Sequence, residues 1–236
     1  MQITKYNSPN FNNIKRSSKS ITQIIIHYTG MQSERESINR LINPKFKVSC
    51  HYLISRNGKV YNMVNDDYIA WHAGKSRWKK FKNLNKNSIG IELVNKGHKH
   101  GYQNFSKKQI NALVNLIKKL KKKYKIKNNL ILGHSDIAPL RKIDPGEKFP
   151  WRHLSSKGIG IHLNKNLANF KSVKKVDANR FFSNLHKIGY RYLKNRSKKK
   201  VIMNFQRRYR QKLVSGILDL ETQIISEFLS KKSNLS

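Results

Sequence analysis

The chain has a single cysteine, Cys50, among its 236 residues. That excludes an intrachain disulfide and a cysteine-rich metal site. No apolar run is long enough to span a bilayer. The opening residues, Met1-Gln2-Ile3-Thr4-Lys5-Tyr6-Asn7, lack the apolar core of a secretion signal, and Cys50 sits in no lipid-attachment context. A cytoplasmic location is the simplest expectation, with the periplasm or cell envelope as the alternative. Acidic residues are scarce: 12 Asp+Glu stand against 50 Lys+Arg, for a net charge of +38. The excess is spread out, with 31 basic against 8 acidic residues over 1–154 and 19 against 4 over 155–236. A nucleic-acid arm would concentrate its charge, and no groove-reading motif or stacking platform is present, so no specific nucleic-acid partner is expected. Two readings of the charge stay open. One is electrostatic association with an anionic envelope, and the other is compositional drift towards Lys, Asn and Ile.

What the chain does contain is enough apolar residue, 37%, for a packed core. Ile21 to His27 carries four isoleucines and neither Gly nor Pro, and reads as a buried strand. Ser33-Glu34-Arg35-Glu36 is a capping-box pattern, followed by Ile38, Leu41 and Ile42 at helical spacing up to Pro44. Val48–Ser55 and Lys59–Val64 flank Arg56-Asn57-Gly58, a hairpin signal. Ser88 to Val94 is another strand. A second capping box, Ser106-Lys107-Lys108-Gln109, opens a helix through Ile110, Leu113, Val114, Ile117 and Leu120. Leu130 to Leu132 is a short strand that feeds His134. The pattern is that of an α/β fold, a central mixed β-sheet flanked by helices. Residues 1–20 read as a loose lead-in. Residues 1–154 are expected to form one domain, 155–178 a linker, and 179–236 a small three-helix domain. Its three apolar faces are Phe181/Phe182/Leu185/Ile188, Val201/Ile202/Phe205/Tyr209 and Ile224/Ile225/Phe228/Leu229.

Three short pieces carry metal-capable side chains at or just beyond apolar runs: Ile24-Ile25-Ile26-His27, Gly133-His134-Ser135-Asp136 and Lys142-Ile143-Asp144-Pro145. A histidine closing an apolar strand is, taken alone, more often structural, and an aspartate before proline is usually a turn residue. The joint pattern points further. Two His and one carboxylate form the ligand set of a catalytic zinc with a position left for water. Ala138-Pro139 lies in the loop that can bring His134 and Asp144 to one centre. Glu92 shares a strand face with Gly90 and Val94, opposite Ile89, Ile91 and Leu93. It is either a solvated carboxylate on a half-exposed face or a general base held in a pocket. Lys142, two residues before Asp144, is either one more surface lysine or a partner for a developing oxyanion. Trp71-His72-Ala73-Gly74 offers an aromatic face and a donor for a groove wall. His98 and His100 read as an exposed loop.

Together these residues resemble the zinc-dependent N-acetylmuramoyl-L-alanine amidases of the AmpD/AmiD type, relatives of phage lysozyme-type amidases and peptidoglycan-recognition proteins. The resemblance rests on five pieces in family order over residues 21–154. They are Ile26-His27-Tyr28-Thr29, Val48-Ser49-Cys50-His51-Tyr52-Leu53-Ile54, Trp71-His72-Ala73-Gly74, Ser88-Ile89-Gly90-Ile91-Glu92, and Gly133-His134-Ser135-Asp136-Ile137-Ala138-Pro139 continuing through Arg141-Lys142-Ile143-Asp144-Pro145-Gly146 to Phe149-Pro150-Trp151. It implies one Zn2+ held by His27, His134 and Asp144, Glu92 as general base, Lys142 at the oxyanion, and Arg141, Trp71 and His72 near a muropeptide. Phage-type relatives carry Tyr where Cys50 stands and lack the Glu, so the chain sides with the AmpD/AmiD type. Val201-Ile202-Met203-Asn204-Phe205-Gln206 and Gly216-Ile217-Leu218-Asp219-Leu220-Glu221-Thr222 are similar to the three-helix peptidoglycan-binding module that follows the catalytic domain in AmiD. The implied reaction is hydrolysis of the amide between N-acetylmuramoyl and L-alanine in peptidoglycan or (anhydro)muropeptides. The alternative is a peptidoglycan-binding protein without turnover, but relatives of that kind have usually lost a zinc ligand and none is lost here.

Overall fold

A computed structural model describes residues 2–163, 175–193 and 197–233. Its strands are β1 (Ile3–Lys5), β2 (Phe11–Asn12), β3 (Gln23–Tyr28), β4 (Tyr52–Ile54), β5 (Val60–Asn62), β6 (Ile69–Ala70), β7 (Arg77–Trp78), β8 (Phe81–Lys82), β9 (Ser88–Leu93) and β10 (Ile131–Gly133). Its α-helices are α1 (Glu34–Ile42), α2 (Lys107–Tyr124), α3 (His134–Ile137), α4 (Trp151–Ser156), α5 (Ala178–Ile188), α6 (Lys198–Tyr209) and α7 (Leu220–Ser233). Six strands form the main sheet in the order β1-β5-β4-β9-β3-β10. Only the β4–β5 hairpin is antiparallel among these neighbours, so the sheet is mixed, as the patterns required.

The inner strand β3, between β9 and β10, explains the isoleucine run. Ile24 and Ile26 are fully buried on one face, in a cluster with Ile89, Ile91, Ile131 and the apolar stripe of α2. Ile25 points to the opposite face, in a cluster with Leu132, Phe181, Phe205 and Ile225. Burial on both faces calls for β-branched residues throughout, not alternation. Each fully buried Ile or Leu is worth about 1.5–3 kcal/mol relative to exposure, so the stripe Leu113, Leu116, Ile117 and Leu120 holds α2 firmly to the sheet.

The helix starts form as half of a capping box. Ser33 accepts from the Glu36 N–H at 3.1 Å, and Ser106 accepts from the Gln109 N–H at 3.1 Å. The reciprocal halves go elsewhere. Glu36 accepts from the Gln32 N–H, one residue further out. Gln109 is buried, and its amide donates to Ile54 O and Val94 O at 2.9 and 3.1 Å, which ties α2 to β4 and to the end of β9.

Two expectations need correction. The lead-in is not loose. Ile3–Lys5 pairs in parallel with β5, Asn10 donates to the carbonyls of Leu41, Asn43 and Val48, and the Arg16 guanidinium reaches Asp66 O, Asn85 O and Ser88 O. Polar side chains that satisfy buried carbonyls hold this segment, and an apolar pattern does not reveal them. Nor is the expected linker 155–178 free of packing at its start. Helix α4 runs through to Ser156, and Ile159 and Leu163 are buried. Residues 164–174 of the expected linker lie outside the described residues.

Candidate functional site

The parallel strands β3, β9 and β10 end together, and the functional side chains gather at those carboxyl ends, where open α/β sheets place their clefts. His27 and Glu92 are register partners across β3 and β9. Both project from the face that carries Ile25 and Gly90, which is the face the alternation gave Glu92. His134 follows directly on β10 and opens the single-turn helix α3. Asp144 returns to it through the Pro139-containing loop, closed by Ser135 N–H donating to Asp144 O at 2.9 Å.

The ligand atoms of His27, His134 and Asp144 lie within 4.8 Å of one another, and all three residues are buried. His27 Nδ1 is 2.9 Å from His134 Nδ1, and both nitrogens are 3.1 Å from Asp144 Oδ2. The hydrogen-bond network assigns the tautomers. Ser88 Oγ donates to Leu84 O at 2.6 Å, so its approach to His72 Nε2 at 3.2 Å requires His72 to be the donor. His72 then accepts at Nδ1 from His27 Nε2, 3.1 Å away. His134 Nε2 donates to Ala73 O at 3.1 Å. Burial, with the neighbouring His134 adding to it, pushes His27 down to about 4, so its ring is neutral near pH 7. Each ring, with its Nε2 proton committed, turns its Nδ1 towards Asp144. Burial raises the Asp144 carboxyl, but His134 foremost, and then His27, each 3.1 Å from its Oδ2, outweigh it and hold the group well below the usual carboxylate range. Three metal-capable atoms therefore converge. One proton bridges two of them, whereas a metal ion satisfies all three. The edges of 2.9–3.1 Å approach the ~3.3 Å separation of ligands in tetrahedral zinc with bonds of about 2.0 Å. The donor set thus fits one zinc, and the Nε2 partners are of the kind that orient metal-bound imidazoles.

His72, expected on a groove wall near substrate, lines the cavity and packs behind His27, and Gly90 makes room for it: a Cβ on Gly90 would lie 2.4 Å from His72 Cγ. Glycine in the middle of the strand is thus a packing requirement. His51 lies beside it, with ring centroids 5.6 Å apart, and accepts the Gly90 N–H at 3.0 Å. This support behind the ligands was not read from the sequence, although its signal, a Gly within an apolar strand and histidines in two of the motifs, was visible.

A cavity of about 560 Å³ opens over the centre, lined by His27, Tyr28, His72, Glu92, His134 and Asp144, with Arg40, Lys99, Arg141 and Lys142 supplying positive charge. Glu92 is 9% exposed and its Oε2 has no hydrogen-bond partner. Burial foremost, and then the charge of Asp144, push its carboxyl up to about 8, against the opposing pull of Lys142. Arg141 lines the cavity but spends its guanidinium on the carbonyls of Ala73 and Lys75, which ties the 71–75 segment to the ligand loop. Trp71 is not brought to this cavity. Its indole N–H donates to Asn12 Oδ1, and its backbone N–H donates to Ser49 Oγ. His98, expected in an exposed loop, is half-buried: Tyr28 Oη lies 2.9 Å from its Nδ1, and its Nε2 pairs with Glu147 at 3.1 Å.

Residues 17–147 match the N-acetylmuramoyl-L-alanine amidase family Amidase_2. The chain belongs to this family. It is 36% identical to the N-acetylmuramoyl-L-alanine amidase AmiD of Escherichia coli (strain K12) over 232 residues, which cover 90% of this chain and 83% of that one. It is 36% identical over 168 residues to the 1,6-anhydro-N-acetylmuramyl-L-alanine amidase AmpD of Haemophilus influenzae, covering 63% of this chain and 89% of the relative. The fold of this amidase superposes on the Escherichia coli AmiD complex with anhydro-N-acetylmuramic acid-L-Ala-D-gamma-Glu-L-Lys with a TM-score of 0.82. There the identity is 33%, over 94% of this chain and 91% of AmiD. Among the described residues no helix is long and apolar enough to cross a membrane.

Proposed function

We propose that the chain hydrolyses the amide between the N-acetylmuramoyl lactyl group and L-alanine of a muropeptide, using one zinc held by His27, His134 and Asp144. The observation that carries this reading is the convergence of three buried metal-capable atoms beside Glu92 on the floor of an open cavity. Bound there, zinc would polarise the scissile carbonyl and acidify a water at its open position.

The remaining roles fall to the chain's own residues. Glu92, in a low-dielectric wall with a free oxygen, takes a proton from the attacking water and returns it to the departing alanine nitrogen. Its raised pKa suits both halves of that transfer, because the group is poised near neutrality and not fully acidic or fully basic. Lys142 lines the same cavity and balances negative charge growing on the carbonyl oxygen. The cationic residues Arg40, Lys99 and Arg141 suit a peptide that carries carboxylates, since the two acids of the lining, Glu92 and Asp144, are both committed to the centre. Residues 179–236 resemble a wall-binding module and would bring the enzyme to polymer. Binding without turnover is disfavoured because the whole ligand set and the base are present together.

The test is to load the purified chain with zinc and incubate it with a soluble anhydromuropeptide, then analyse the products by mass spectrometry. Free stem peptide with an L-alanine amino terminus is expected. Intact substrate from a zinc-loaded protein would remove the proposal.

A further inference from the structure

The loop that carries His134, Lys142 and Asp144 is not held by its own backbone hydrogen bonds alone. Its backbone carbonyls are held from outside by helix α6 and the residue pair that follows it. Asn204 and Arg208 lie four residues apart, on one face of that helix, and both are buried. Asn204 Nδ2 donates to Pro139 O at 2.7 Å and to Lys142 O at 3.0 Å. Both protons of one buried amide thus grip the stretch between the two loop ligands. Arg208 pairs with Asp136 Oδ2 and donates to Ile131 O at 3.0 Å. The same Asp136 oxygen accepts the Gly133 N–H at 2.7 Å, directly before His134, and the other accepts from Tyr190 Oη at 2.6 Å. Beyond Asp144, Gln211 Nε2 donates to Glu147 O and Phe149 O, both at 2.7 Å. The loop is therefore clamped before, between and after its ligands by residues from the C-terminal part of the chain.

We propose that Asn204 and Arg208 are positioning residues of the metal centre, so that the C-terminal helices set the geometry of Lys142 and Asp144 besides any contact with the cell wall. The inference rests on the amidase reading above. Neither residue touches substrate. They act by fixing the backbone of the loop from which its functional side chains project. A misplacement of about 1 Å in a catalytic group costs on the order of 100-fold in rate, so a clamp of this kind has consequences out of proportion to its own bond strengths.

The experiment uses the full-length chain, wild type and Asn204→Ala, each confirmed folded by its melting transition. Three quantities are read: zinc affinity by competition with a chromogenic chelator, the visible spectrum of the cobalt(II)-substituted protein, and kcat and KM on a soluble anhydromuropeptide. The expected result is a zinc affinity lower by about 10- to 100-fold, a shifted cobalt spectrum, and a fall in kcat of about tenfold or more with KM nearly constant. If Asn204→Ala does not fold, Arg208→Lys is read by the same three measurements with the same expectation. A folded variant with wild-type affinity, spectrum and kcat overturns the proposal. A wild type that binds no zinc or releases no stem peptide overturns the amidase reading itself, so the two failures are distinguishable.

Discussion

Glu92→Gln separates catalysis from metal binding and from folding. The substitution keeps size and shape but removes the proton acceptor. With a 9% exposed carboxyl whose Oε2 is unpartnered, the wild-type side chain sits at about 8 against an ordinary 4.5. At about 1.36 kcal/mol per tenfold in the proton equilibrium, that gap amounts to an upper figure of about 5 kcal/mol, and relaxation and water at the cavity mouth reduce it to a few kcal/mol. The sign follows from proton linkage. Below pH 4.5 the folded and unfolded states both hold the proton and the group costs nothing. Between 4.5 and 8 unfolding releases a proton, so the stability of the metal-free protein falls as pH rises. Above 8 the full cost of the buried anion is felt. Metal-free Glu92→Gln should therefore melt with wild type near pH 4.5 and above it at pH 9, by roughly 5 °C or more at about 2–4 °C per kcal/mol. Turnover of the zinc-loaded variant should fall by about 100-fold to 10,000-fold, with zinc content unchanged. The assays are thermal melts across pH, metal analysis and product release. Turnover within tenfold of wild type, or a melting difference that does not change with pH, would refute the reasoning.

The other expectations concern the groups around the centre. His72→Ala removes the acceptor of the His27 Nε2–H and should weaken zinc binding by about 10- to 100-fold in chelator competition; unchanged affinity would show that the partner is dispensable. Lys142→Met keeps the aliphatic stem in the cavity and should lower kcat by about 100-fold to 1,000-fold while zinc stays bound, whereas a change confined to KM would assign the lysine to substrate affinity instead. Asp136→Asn leaves the Arg208 guanidinium buried beside a neutral amide and should cost about 3–5 kcal/mol in urea denaturation; a loss below about 1 kcal/mol would mean that the pair is readily replaced.

Much of the candidate site's face was legible because strand alternation is strict. Ile89, Ile91 and Leu93 pack on α2, so Gly90 and Glu92 had to face the other way, and the register of β3 with β9 put His27 beside Glu92. The α2 stripe and the Asn57-Gly58 hairpin were legible for the same reason: their periods are local. What the sequence hid was the partner of each face. Ile25 and Leu132 pack against Phe181, Phe205 and Ile225, and nothing in a helical period tells which surface it will meet. Polar support was hidden too. Arg16, Asn10 and Gln109 satisfy distant backbone carbonyls, and such bonds leave no periodic trace. Trp71 and His72 are adjacent in sequence yet part company, one towards Asn12 and the other behind His27.

The central claim is that zinc on His27, His134 and Asp144 cleaves the muramoyl–alanine amide. It is tested most directly by mass spectrometry of one soluble anhydromuropeptide incubated with the chain, first zinc-loaded, then stripped by chelator, then reloaded. The account predicts free stem peptide beginning with L-alanine in the first and third incubations and intact substrate in the second. Cleavage at another bond, or equal release from the stripped protein, would contradict it.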